Sequence, residues 1–451
     1  MFNLNIDILI LIFEELQYNK SIRNVRNTLY SCLLVNKTWC SVIIPILWKN
    51  PWSSKKSNNN VIISHLSNEA KKILRNQIKN GKNASIILQR PLYNYVSFCK
   101  YLDFYHLDEL LFRYTRKIER SKQCFIADEI WKLFINKNSK FTHLKITSCN
   151  YDQIFLIPGA EHCFSELKVL EYYSRDNQKL LEWLAKISKS IKKFEVYEWN
   201  SEIKNLIEAQ NNLNSIVLHK LDDKLDSYSL KILTKHNLIS LHIKSCFNLN
   251  KHLSLPNLKF LTFESISTEN LVIIIECTKG YLTEISINEF IGKNNRYIKS
   301  IYQNCPNLRY LKLPLIDDEV SELEILLTKC KCLVELFIIE TYYGQNRLLG
   351  WDELLEILAK SSPTSLFKFK FYFKYVVSRL ETFKLFLDNW KGRHPMLLQT
   401  NIYDEDFLTL IKKYIDEGIV KSHNNIRVDA IVVYDNYNET DPIVFEGEKG
   451  A

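Results

Sequence analysis

Residue types that carry out acid–base, nucleophilic or metal chemistry are plentiful in this sequence, but their spacing matches none of the motifs that such chemistry uses. The eleven cysteines include no Cys-x-x-Cys pair, and the ten histidines include no His-x-x-x-His pair. Structural zinc sites use such closely spaced thiolates and imidazoles. No glycine-rich phosphate loop or nucleophile elbow occurs among the ten glycines. The sequence therefore predicts no metal site and no cofactor, and we expect no catalytic activity.

The net charge of +9 raises the question of nucleic-acid binding, because Lys and Arg neutralise phosphates. A local basic excess does occur between Lys49 and Lys82, but elsewhere the lysines are spread singly along the chain. We therefore treat nucleic acid as an unlikely partner and keep it as a third hypothesis. No stretch approaches the roughly 18 apolar residues of a membrane span. We expect no membrane partner and a cytoplasmic or nuclear location.

The middle and the carboxyl-terminal half contain a repeat. Ten segments, from "FTHLKI" to "LFKFKF", share the form Leu-x-x-Leu-x-Leu with other apolar residues substituting. Their second apolar positions are Leu144, Leu170, Phe194, Ile216, Leu241, Leu261, Ile285, Leu311, Leu336 and Phe369. Successive positions are 20 to 26 residues apart, except for a last step of 33. This period is typical of leucine-rich repeats.

Helical patterns lie between these segments, for example "NQKLLEWLAKISKS" and "WDELLEILAKSS", with apolar residues at i, i+3, i+4 and i+7. A unit of one strand and one helix cannot bury its own apolar face until neighbours stack on it. The sequence therefore predicts a curved α/β solenoid with parallel strands on the concave face and helices on the convex face. Alternate strand residues should line the concave, substrate-binding face: Lys145, Glu171, Glu195, His242, Lys312, Phe337 and Lys370.

The amino-terminal stretch "LNIDILILIFEEL" is unusually apolar. Its apolar residues recur at helical spacing and form one stripe: Ile8, Leu9, Ile12, Phe13 and Leu16. Two shorter helices should follow, divided near Asn36 and with Pro45 near the end of the second. A module of about fifty residues buries little surface by itself. These helices would therefore gain stability by packing against the surface of a partner.

This segment resembles the F-box family, whose pattern begins Leu-Pro, continues through an acidic residue and apolar pairs to Ile-Phe-x-x-Leu, and ends with a Leu-Val-Asn-x-x-Trp block and Pro-x-Leu-Trp. The matching residues here are Leu4, Asp7, Ile8, Leu9, Ile12, Phe13, Leu16, Leu33, Leu34, Val35, Asn36, Trp39, Pro45, Leu47 and Trp48. Asn5 stands where the family has proline. With the repeats behind it, the chain resembles F-box proteins that carry leucine-rich repeats.

In that family the three-helix module binds the Skp-type adaptor of a cullin-RING ubiquitin ligase, and the repeats hold the target protein. The resemblance therefore implies a substrate-recognition subunit of an SCF-type ligase with an unknown target. It implies that ten residues form or support the adaptor surface: Leu4, Ile8, Leu9, Ile12, Phe13, Leu16, Leu33, Leu34, Val35 and Trp39. The alternative is a non-ligase scaffold or ligand sensor whose amino-terminal helices only cap the solenoid.

Four regions follow from these patterns. Residues 1–52 are expected to form the F-box-like module, and residues 53–140 a linker and helical spacer. Residues 141–400 should hold the repeats. Residues 401–451 should provide a capping helix and an acidic tail.

Overall fold

A computed structural model of the chain describes residues 5–18, 22–53, 57–78, 90–147, 153–174, 177–219, 231–246, 254–291, 296–341, 349–374 and 380–426. The chain divides into two compact units, Met1–Leu258 and Lys259–Ala451.

The first unit begins with three helices that pack against one another: α1 (Ile6–Tyr18), α2 (Ile22–Cys32) and α3 (Lys37–Trp48). The Asn36 side chain accepts a hydrogen bond of 2.9 Å from the backbone N of Trp39 and so caps α3. Pro45 lies in the last turn of α3, where its carbonyl accepts a bond from Lys49. The two positions that the sequence assigned to the start and the end of this helix are confirmed.

Two helices then lead to the first strand, and helices or 3-10 turns separate the strands that follow it in this unit. The helices are α4 (Ser57–Ser64), α5 (Asn68–Ile78), α6 (Phe104–Thr115), α7 (Arg120–Phe134), α8 (Ala160–Phe164), α9 (Gln178–Ile187) and α10 (Ser201–Glu208). The strands are β1 (Tyr101–Asp103), β2 (His143–Ile146), β3 (Val169–Tyr172), β4 (Lys193–Val196), β5 (Ser215–Leu218) and β6 (Ser240–Cys246). Short 3-10 turns cover Pro51–Ser53, Tyr95–Phe98, Ile154–Leu156 and Ile232–Lys235.

The second unit continues the same alternation. Its strands are β7 (Phe260–Ser267), β8 (Glu284–Ile291), β9 (Tyr310–Leu315), β10 (Glu335–Glu340), β11 (Lys368–Tyr372), β12 (Met396–Thr400) and β13 (Val420–Asn425). Its helices are α11 (Thr268–Glu276), α12 (Arg296–Asn304), α13 (Val320–Lys329), α14 (Trp351–Ser361), α15 (Leu380–Asn389) and α16 (Glu405–Asp416). A 3-10 turn at Asp317–Glu319 precedes α13.

In each unit the strands pair in parallel and in chain order, β1 to β6 and β7 to β13. The register aligns equivalent repeat positions, so Leu144 lies opposite Leu170 and both are buried, while Lys145 lies opposite Glu171. The predicted α/β class with sequential parallel strands is confirmed, and this order is compatible with a solenoid.

All ten apolar positions that the repeat identified lie inside strands, from Leu144 in β2 to Phe369 in β11. Three strands lack the repeat pattern and were not predicted: β1, β12 and β13. Parallel pairing therefore starts before residue 141 and continues beyond residue 400. In the region expected to hold a linker and helical spacer, α4 already begins at Ser57. The expected helix near the carboxyl end is α16, whereas the acidic tail after residue 426 lies outside the described residues.

Gly159 occupies a backbone position that only glycine fits. Its φ is +94°, and a Cβ there would lie 2.7 Å from the backbone N of Lys137 and 2.8 Å from the carbonyl carbon of Asn136. Gly392 also has a positive φ, of +82°, but no atom lies within 4 Å of its Cβ position. The two glycines therefore separate the effect of backbone conformation from the effect of close approach.

We expect Gly159→Ala to lower the free energy of unfolding by about 2–4 kcal/mol, since it adds a steric clash to the left-handed strain. Gly392→Ala should lower it by only about 1 kcal/mol, from the strain alone. Denaturant unfolding of both variants measures the difference. Equal losses would show that the chain near Lys137 yields to the added methyl group.

Candidate functional site

Exposed apolar side chains are concentrated in α1, α2 and the turn before α3. Of the nineteen large hydrophobic residues that the described parts of the chain expose, seven lie between Ile6 and Val35. On α1, Ile8, Leu11 and Ile12 are 46%, 65% and 42% exposed. They are three and four residues apart and therefore share one side of the helix. A short helix with this much exposed apolar surface is typical of a site that binds another protein.

The predicted apolar stripe of α1 divides into two faces. Leu9 and Phe13 are buried, and the Phe13 ring meets the Trp39 ring of α3 edge-on with centroids 5.3 Å apart. Leu9 and Phe13 thus hold α1 on the module and support the outward residues from behind. Leu16 is half-buried. The outward face of α1 is consequently formed by Ile8 and Ile12, together with Leu11, which was not among the predicted adaptor-surface residues.

The turn between α2 and α3 contributes further apolar surface. Leu34 is 88% exposed and Val35 is 56% exposed, whereas Leu33 and Trp39 are half-buried. Leu4 lies outside the described residues. Asn5, in the position of the family's proline, accepts a hydrogen bond of 3.2 Å at its side-chain oxygen from the backbone N of Asp7. The helix start is therefore capped without proline.

The third helix is tied to the beginning of the sheet. The carbonyl of Lys49, which follows α3, accepts bonds from the backbone N atoms of Lys100 and Tyr101 at 2.9 and 3.1 Å. The Trp52 indole donates a bond of 2.8 Å to the carbonyl of Tyr101. The side of the module that carries Trp52 therefore covers the first strand, whereas α1 contributes none of these bonds.

In the first unit, four of the predicted outward residues lie in one register row. Lys145, Glu171 and Glu195 are adjacent across β2, β3 and β4, and Val217 of β5 connects them to His242 of β6. Lys145 lies 3.8 Å from Glu171. His242 is only 6% exposed, less than the prediction of an exposed face implies.

A cluster of aromatic and charged groups surrounds Glu195. Its Oε1 accepts a hydrogen bond of 2.8 Å from the Tyr173 hydroxyl and lies 2.7 Å from Nε2 of His219. The Tyr197 ring stacks on His219 with centroids 3.8 Å apart and lies 4.5 Å from the Tyr173 ring. Lys145 sits 5.0 Å above the Tyr173 ring. The cluster therefore combines aromatic rings with charged groups that are held in place by hydrogen bonds.

Two neighbouring carboxyl groups in this row have opposite pKa shifts. Burial alone would raise the pKa of Glu195, but the bonds from His219 and Tyr173 and the charges of His219 and Lys244 lower it to about 2. Burial raises the pKa of Glu171 above its usual value, and the charge of Glu195 adds to this increase, against the opposing effect of Lys145. Glu195 is therefore held as an anion, whereas ionised Glu171 is disfavoured.

The second unit presents a different surface. Lys312, Phe337 and Lys370 are adjacent in one row across β9, β10 and β11. The ammonium groups of Lys312 and Lys370 lie 4.9 and 6.0 Å from the centre of the Phe337 ring, and Lys370 lies 2.8 Å from Glu335. Lys312 and Phe337 are 7% and 5% exposed. The row was predicted, but the burial of these two side chains was not.

The environment of Lys312 disfavours its charge. Burial, and secondarily the charge of Lys370, lower the pKa of Lys312 to about 8, against the opposing effect of Glu264. This face of the second unit therefore combines cations and carboxylates, with Phe337 between Lys312 and Lys370 and with Glu335 paired to Lys370.

The repeat pattern did not predict a role for the residues that follow the strands of the first unit. Tyr173, Tyr197 and His219 each come directly after the last apolar residue of β3, β4 and β5. They are 24 and 22 residues apart, the same steps as the repeat. An aromatic residue at one repeat position in three successive units was the signal that could have found them.

The described parts of the chain contain no group of three or more His, Cys, Asp or Glu residues that could hold a metal ion. No helix within them is long and apolar enough to cross a membrane. No known family model matches the chain, and no curated protein matches it. The candidate sites are therefore defined by geometry alone: an apolar tip (Ile8, Leu11, Ile12, Leu34 and Val35) and an outward strand face in each unit.

The opposite shifts at Glu195 and Glu171 predict opposite effects of the same substitution. The lowered pKa of Glu195 means that its ionised form stabilises the fold above the usual pKa, and that this contribution disappears as pH falls towards 2. Glu195→Gln should therefore reduce the free energy of unfolding by about 2–3 kcal/mol at pH about 6. The loss should shrink as pH falls below about 4.5.

Glu171→Gln is the matched control from the same row. Because its raised pKa makes ionisation unfavourable, this variant should be as stable as the original chain or more stable at the same pH. Denaturant unfolding between pH 3 and 6 measures both variants. Equal losses in the two variants would contradict the assigned electrostatics.

Proposed function

We propose that the chain is the substrate-recognition subunit of an SCF-type ubiquitin ligase. Its three amino-terminal helices bind a Skp-type adaptor, and its strand–helix units bind the target protein. The chain itself catalyses nothing; it raises the effective concentration of the target near the conjugating enzyme. The concentration of exposed apolar residues in α1 and in the turn before α3 is the observation that carries this proposal.

The competing function is a scaffold or ligand sensor in which the helices only close the end of the sheet. The bonds from Lys100, Tyr101 and Trp52 favour such a cap, since they join the end of α3 to the first strand. A cap, however, gives no reason for Ile8, Leu11 and Ile12 to be exposed on α1. The adaptor proposal accounts for both observations, since one side of the module contacts the sheet and the other binds a partner.

The target surface is the outward row of each unit. It combines the fixed charges around Glu195 with the aromatic surface of Tyr173 and Tyr197 in the first unit. Aromatic and charged residues that are already held in place lose little side-chain entropy on binding. This arrangement suits recognition of an extended segment of a protein that contacts several strands in succession.

Adaptor binding is tested by co-purification of the full chain with a Skp-type adaptor. Each apolar anchor contributes about 1.5–3 kcal/mol when it is fully buried. We therefore expect Ile8→Asp with Ile12→Asp to weaken binding by at least about a hundredfold. These positions are exposed, so the double variant should fold, unlike one that changes the buried Leu9 or Phe13.

The matched control is Phe112→Asp with Leu156→Asp, which changes two exposed apolar residues elsewhere in the first unit. It should bind the adaptor as the unchanged chain does. An unchanged chain that does not bind would remove the ligase function and leave the scaffold. Equal losses in both double variants would show that binding depends on general surface apolarity and not on α1.

A further inference from the structure

Lysines that are far apart in the sequence lie side by side where the strands of the first unit begin. Backbone hydrogen bonds of 2.8–2.9 Å join the residue before each strand to its counterpart before the next one. Five residues form this line, which we call the lysine row: Lys49, Lys100, Thr142, Lys168 and Lys192. Because adjacent strands are about 4.8 Å apart, the row extends over roughly 19 Å from the end of α3 to the start of β4.

The repeat explains why this row is not visible in the sequence. Thr142, Lys168 and Lys192 are 26 and 24 residues apart, the same steps as those between the apolar positions of β2, β3 and β4. Each unit contributes single lysines, and stacking in register places them next to one another. Lysines that are spread singly along the chain therefore become a line of charge in the fold.

Positive charge prevails at this edge of the sheet. The segments that lead into β1 to β4 contain seven lysines and one acidic residue, a net charge of 7 − 1 = +6. These segments are residue 49 and residues 99–100, 135–142, 165–168 and 188–192. The four strands themselves add two lysines and three carboxylates, so the edge and the strands together carry 9 − 4 = +5.

The carboxylates near this edge do not neutralise the lysine row. Glu166, the one acidic residue of the segments that lead into the strands, is paired with Lys140. Glu171 and Glu195 lie further along their strands, beside Lys145 and His219. The nearest carboxylates are therefore already engaged by groups outside the row.

The four lysines of the row keep their charge accessible. The ammonium of Lys100 donates a bond of 3.2 Å to the carbonyl of Lys140, and that of Lys168 donates one of 3.1 Å to the Ser190 hydroxyl. Both acceptors are neutral. Lys49 and Lys192 are exposed, and neither ammonium lies within 4.0 Å of a carboxylate in the described parts of the chain.

Two aromatic rings lie beside the row. Tyr101 and His143, the first residues of β1 and β2, are directly paired and half-buried, and their ring centroids are 5.8 Å apart. Burial, and secondarily the charges of Lys49 and Lys193, lower the pKa of His143. The field of these lysines therefore acts on the ring, and the edge combines a line of cations with flat aromatic groups.

This combination fits single-stranded nucleic acid. Lysines neutralise its phosphates, and its unpaired bases stack on aromatic rings. A duplex presents phosphates but keeps the faces of its bases stacked inside, and an acidic peptide carries negative charge without planar bases.

We propose that the lysine row binds the phosphates of single-stranded nucleic acid, with Tyr101 and His143 as the positions on which its bases stack. This activity is separate from adaptor binding, and neither depends on the other.

Fluorescence anisotropy of a labelled oligothymidylate of about 12 nucleotides, titrated with the full chain, tests the proposal. Each phosphate contact of a single strand contributes about 0.7 to the fall of log K with log[salt], so four contacts predict a slope of about −3. Lys49→Gln with Lys192→Gln should make this slope shallower by about 1.4 and weaken binding at about 50 mM salt by about tenfold or more. Both side chains are exposed, so the variant should fold.

The control is Lys299→Gln with Lys360→Gln, which removes two exposed lysines from α12 and α14. It should bind with the affinity and the salt slope of the unchanged chain. The proposal is overturned if the unchanged chain does not bind at about 50 mM salt, or if both double variants lose the same affinity. Equal binding of the strand paired with oligoadenylate would also contradict it. Competition by polyglutamate as strong as that by unlabelled oligothymidylate would assign the row to an acidic protein segment instead.

Discussion

The structure depends on one constraint: a single strand with its helix cannot bury its own apolar surface. Leu170 of β3 is fully buried, and β2 and β4 lie on either side of it in register. In parallel pairing a slip of one residue would exchange the faces of every side chain in a strand. The same register that buries Leu170 therefore places Glu171 outward beside Lys145 and Glu195.

This constraint also explains why the outer edges of β1 and β13 must be satisfied in other ways. At β1 the carbonyl of Lys49, which follows α3, accepts hydrogen bonds from the backbone N atoms of Lys100 and Tyr101, so the start of this edge is covered. The helix module thus has a structural role on one side, which leaves the exposed residues of α1 without a structural explanation. At β13 the strand is polar, with "KSHNN" after Val420, as is common at an edge.

Much of the fold was predictable because the repeat is a direct consequence of stacking. All ten apolar positions from Leu144 to Phe369 lie in strands, and Glu195, Lys312 and the rest of the outward set occupy outward register positions. The strand at Tyr101–Asp103 could not be found, because it has three residues and Asp103 also caps the next helix. The burial of Phe337 could not be predicted from the sequence either, since it depends on Ile426, which is distant in the chain, and on Tyr372 of the neighbouring strand.

The register of the parallel strands is the central claim, and a pair of engineered cysteines tests it most directly. Thr262 and Ser286 are directly paired across β7 and β8, on the outward face. Paired positions lie about 4.8 Å apart, within the range of a disulfide, whereas Thr262 and Glu284 should lie about 8 Å apart, beyond it. The account predicts that Thr262→Cys with Ser286→Cys forms a disulfide under mild oxidation and that Thr262→Cys with Glu284→Cys does not. A disulfide in the second pair and none in the first would contradict it.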